Sequence, residues 1–135
     1  MSSSASQPSA APIEWTNPSK PVRFVCSALV EVTRTRLPVP GFTDDDYAYL
    51  PQLATRLNGG ELSLSDVSWQ LGIQVTRERQ VASAAIHAFT EAEWARVKDG
   101  DDEDAQADVG NDNALLLTCL NLDDPQNPLK LKSEA

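Results

Sequence analysis

With 135 residues, 41% of them hydrophobic and 23% charged, the chain has enough material for one self-supporting core and is not wholly disordered. Twenty acidic against eleven basic side chains leave a formal net charge of −9. That balance opposes phosphate backbones and anionic lipid, whose affinity comes from Lys and Arg, and leaves a basic protein partner or plain solubility as its meaning.

Residues 1–21 form a Ser/Ala/Pro-rich stretch without periodicity, which reads as an extended arm ahead of a globular domain at 22–124. It has no basic n-region and no apolar h-region, so it does not read as a secretory signal. Ile13 and Trp15 interrupt its polarity and are candidate interface anchors, docking on the chain's own domain or on a neighbouring subunit.

From Val22 the apolar residues alternate through Phe24, Cys26, Ala28, Val30 and Val32, with Val25 and Leu29 out of step, and the period predicts a strand. Thr43 followed by Asp44, Asp45 and Asp46 is a helix-start signature. Tyr47, Leu50, Leu53, Ala54 and Leu57 continue it as a helical face, which Pro51 either splits into two short helices or delays to begin near Leu50. Val67, Trp69, Leu71, Ile73 and Val75 alternate without a miss and predict a second strand, with Trp69 in the core and Gly72 at a bulge. Residues 80–89 fit either a strand, alternating Val81, Ser83, Ala85, His87 and Phe89, or a helix with Val81, Ala84, Ala85 and Ala88 on one face. The strand is preferred because Thr90 then caps a fresh helix over 91–98.

Residues 99–112 carry seven acids, no base and two glycines, a solvated, mobile and dispensable loop on this reading. The apolar run from Ala114 to Leu122 suits a buried strand, and residues 125–135 are a polar tail. The order β-α-β-β-α-β predicts an α+β domain, mainly antiparallel sheet with two short helices, in ferredoxin-like order.

No stretch carries a named chemistry. Asp99, Asp101 and Glu103 sit at the first, third and fifth positions of a calcium-type loop, but its required Gly and Glu positions hold Asp104 and Gly110. Cys26 and Cys119 are separated by 92 residues in a chain with one histidine, which fits no zinc pair or redox motif and predicts two buried free thiols, with a disulfide as the alternative. His87 lacks any nucleophile or metal motif around it. No window approaches the 18 apolar residues of a membrane span.

The sequence therefore predicts a non-enzymatic protein-binding or assembly module without cofactor or metal. It would be an accessory subunit, such as a component of a viral particle, or an acidic inhibitor of a basic partner, acting in the cytoplasm or in a particle assembled there. Its partner would be a protein or a second copy of the chain, with Ile13, Trp15, Asp101, Asp102, Glu103 and Asp104 at the interface and no nucleic acid or membrane involved. A small enzyme built around His87 and nearby carboxylates is the alternative. A helix-turn-helix DNA binder is the second, because residues 64–86 place Leu71-Gly72-Ile73 ahead of Arg77, Arg79 and an alanine-rich stretch.

Overall fold

The computed structural model describes residues 15–124 and 126, and its regular structure there is entirely helical. The helices are α1 (Lys20–Thr35), α2 (Asp44–Asn58), α3 (Leu64–Val67), α4 (Arg77–Val97) and α5 (Glu103–Cys119). The expected antiparallel sheet is absent from the described residues, and the ferredoxin-like α+β order is overturned. No helix there is long and apolar enough to cross a membrane.

The reversal at α1 has a local cause. Ser19 caps the helix, its hydroxyl accepting from the Val22 backbone N–H at 3.3 Å, and Pro21 sits in the first turn, where a missing N–H costs nothing. The residues buried from α1 are Val22, Val25, Cys26, Ala28, Leu29 and Val32. Val25 and Leu29, the two that break the alternation, complete a three-and-four spacing that places one helical stripe in the core.

Helix α2 begins where the acid run predicts, with a full capping box between Thr43 and Asp46. Pro51 neither splits nor delays it. A proline lacks the N–H that would bond four residues back, which here leaves the Tyr47 carbonyl without its helical donor. The Thr33 hydroxyl of α1 donates to that oxygen at 2.6 Å, so the neighbouring helix supplies the missing bond. Tyr47 also closes the α1–α2 connection. Its hydroxyl donates to Leu37 O at 2.7 Å, its ring meets Phe42 edge-on at 5.1 Å, and the Arg36 guanidinium lies over it at 4.1 Å.

Helix α4 takes up what the sequence reading divides into a strand and a new helix. Thr90 does not cap anything; its hydroxyl donates to His87 O at 3.0 Å inside a continuous helix. Alanines at 82, 84, 85 and 88 keep α4 narrow, and Val81, Ala82, Ser83, Ala85, Ile86 and His87 are all buried, so neighbours crowd it on several sides. The segment 99–112 is not a loop, since most of it forms the first half of α5. Asp102 caps that helix by accepting from Ala105 N at 3.1 Å, and Glu103 and Asp104 fill its first turn, where the helix dipole favours carboxylates. Gln106 fastens the start of α5 to the end of α4 by donating to Val97 O and Gly100 O, both at 3.0 Å. Residues 114–119 are the second half of α5 rather than a strand, and only Leu116 of that helix is fully buried, joined in the core by Leu120 and Leu122.

Candidate functional site

Two surface features stand apart from the packed core. The first is the connection between α3 and α4. Val67 and Trp69 are buried, so the expectation of a core tryptophan holds although the strand does not. Trp69 N donates to Leu120 O at 2.9 Å, and its own carbonyl accepts from Asn121 Nδ2 at 3.1 Å, which ties the connection to the end of α5. Beyond Trp69 the chain turns outward, with Ile73 N bonded to Gln70 O at 3.1 Å and Gly72 at φ +84°, a left-handed value that glycine adopts without strain. Leu71, Ile73 and Val75 are consequently 69%, 44% and 40% exposed.

Arg79 braces this loop from inside α4. Its guanidinium donates to Ser68 O and Ser65 O at 3.0 Å each, and reaches Gln74 O at 3.5 Å. Thr76 caps α4 at the loop's far end, accepting from Arg79 N at 3.3 Å. The three aliphatic side chains thus project from a loop held at both ends and along its length.

The second feature is an open groove of about 260 Å3 between α1 and α4, lined by Phe24, Ser27, Ala28, Glu31, Phe89 and Glu93. Its two carboxylates are paired along their own helices, Glu31 with Arg34 at 2.6 Å and Glu93 with Arg96.

The residues singled out from sequence do not converge on either feature. Trp15 is half-buried and packs against the domain's own core. The residues after it are fixed to the C-terminus of α2, where Asn58 Oδ1 accepts from Thr16 N at 2.8 Å and Asn17 N at 2.9 Å, and Asn17 Nδ2 donates to Leu57 O at 3.2 Å. The visible part of the arm therefore docks at home. Ile13, the rest of the arm to residue 14, and the tail at 127–135 lie outside the described residues. Asp101, Asp102, Glu103 and Asp104 are exposed at the start of α5, and no ion pair among the described residues includes them.

His87 is 5% exposed in the middle of α4 and does not line the groove. Among the described residues no three His, Cys, Asp or Glu side chains are grouped as a metal site would need. Both cysteines are free thiols, as expected, but only Cys26 is buried; Cys119 is half-buried. Burial pushes the Cys26 thiol up to about 11, and its sulfur donates to Ala54 O at 3.2 Å. The segment read as helix-turn-helix does contain two helices, but α3 has four residues and residues 68–76 separate it from α4. A recognition pair needs a short turn between two full helices.

Leu71, Ile73 and Val75 were legible as apolar but assigned to the wrong side. Gly72 in their midst and Thr76 just beyond, a helix cap, are the signals that mark them as a displayed loop. Phe24 with Glu31, and Phe89 with Glu93, carried no signal separately, because only the packing of α1 on α4 brings them to one groove. No protein-family model matches the chain, and no curated protein or solved structure does either.

Proposed function

We propose that this protein is a binding module that docks another protein chain through the loop between α3 and α4. The observation that carries this reading is the exposure of Leu71, Ile73 and Val75 on one braced loop. Scattered exposed apolar residues are ordinary, whereas three within five positions form a patch that water disfavours. Covering them in a complex would yield roughly 2–5 kcal/mol, taking about 1.5–3 kcal/mol for each aliphatic side chain fully removed from water. The bracing by Arg79 supports the reading from a second direction, because an interface loop fixed beforehand loses less entropy on binding. The charge of −9 favours a basic partner and speeds its approach.

The test is a triple substitution, Leu71→Ser, Ile73→Ser and Val75→Ser. It should leave helical circular dichroism and the melting temperature nearly unchanged and abolish association measured by light scattering and co-purification. Association that survives the triple substitution would overturn the assignment.

A further inference from the structure

The groove between α1 and α4 has a chemistry different from that of the loop. Its floor and walls are apolar, from Ala28 and the rings of Phe24 and Phe89, and Glu31 and Glu93 bring one carboxylate from each helix. At about 260 Å3 it is smaller than the pockets that enclose a whole organic ligand, and of a size for one long side chain. We infer that it receives a lysine or arginine side chain from a basic protein segment.

The match is between an apolar stem with a cationic end and an open groove lined by two phenylalanines and two glutamates. A methylene stem gains by lying on the phenyl rings, and a cation gains from both a ring face and a carboxylate. The existing pairs do not block this. Arg34 and Arg96 lie one turn beyond the groove residues, are not among its lining, and are each 62% exposed. Pairs so exposed contribute little, so either arginine can return to water when a second cation arrives. Glu31 and Glu93, at 42% and 32% exposure, are the more sheltered members and remain as the fixed charges of the site. The same surplus of acid that disfavours nucleic acid draws a basic segment toward this face.

The experiment is a magnetic-resonance titration of the intact chain with the peptide acetyl-Gly-Leu-Lys-Leu-Gly-amide and with the same peptide carrying norleucine in place of lysine. Shift changes are expected at Phe24, Ala28 and Phe89, with norleucine binding about fivefold more weakly. Glu31→Gln and Glu93→Gln should each weaken the lysine peptide about threefold, and together about tenfold. Both side chains are on the surface, so circular dichroism should confirm an unchanged fold. The triple serine variant of the loop should bind this peptide normally, so the two sites fail or stand separately. Equal binding of the norleucine peptide, shifts confined to the acidic start of α5, or no shifts at all would each overturn the inference.

Discussion

Replacing Thr33 by valine keeps the shape of the side chain and removes one hydroxyl, the one that donates to Tyr47 O at 2.6 Å. That oxygen has lost its helical donor to Pro51, so Thr33→Val leaves it without either. An unsatisfied carbonyl in a partly buried position costs about 1–2 kcal/mol, toward the lower part of the range for a fully buried group. The cost should depend on the proline. In a Pro51→Ala background the backbone N–H of residue 51 can bond the same carbonyl, and Thr33→Val should then cost only a few tenths of a kcal/mol. Urea denaturation of the four proteins of this double-mutant cycle, followed by circular dichroism, gives the coupling directly, expected at about 1 kcal/mol. Equal costs of Thr33→Val in both backgrounds would refute the claim that α1 repairs the proline break in α2.

Trp69→Ala should destabilise the fold by about 3–5 kcal/mol in the same assay, because a buried indole is lost from the core while the backbone bonds of residue 69 to Leu120 and Asn121 remain. Ser83 is fully buried in α4, and its hydroxyl has no hydrogen-bond partner among the described residues. Ser83→Ala should therefore leave the urea midpoint unchanged or raise it by up to about 1 kcal/mol of stability. Burial raises the Cys26 thiol from 9.0 to about 11, so folding favours its protonated form. That stabilisation is complete below about pH 9 and is lost as pH rises toward about 11, so the alkaline fall in melting temperature should be shallower in Cys26→Ala.

Where capping chemistry was strong, the sequence was legible. Thr43 and its three following aspartates marked the cap of α2, because a capping box is a local interaction that needs no tertiary partner. Pro51 left the helix's continuity open, since the bond from Thr33 that makes good the missing one is tertiary. Where periodicity decided, it misled. The run from Val22 to Val32 satisfies period two and period 3.6 at once, and the deciding residues, Val25 and Leu29, were the two that alternation could not place. Residues 80–89 are small and apolar on nearly every side, so a helix buried by several neighbours shows no single stripe to read. In α5 the acids that suggested a loop are its N-cap and first turn, and Gly110 and the Asn residues further disguised a helix fastened by Gln106. The alternation from Val67 to Val75 reflects no strand. Its first two members are buried and the next three face water, because the chain turns outward after Trp69, at residues 70–73. The α1–α4 groove lay beyond any sequence reading, since its two walls are some sixty residues apart.

The docking loop is tested most directly by a photo-activated crosslinker placed at Ile73, with Gln52, an exposed residue on α2, as the control position. Irradiation in cells that make the protein should join position 73 to one discrete protein species, and Leu71→Ser with Val75→Ser should remove that product. Position 52 should give only a diffuse background. Indistinguishable products at 73 and 52, or a product at 73 unaffected by the two serine substitutions, would contradict the assignment of this loop as the docking surface.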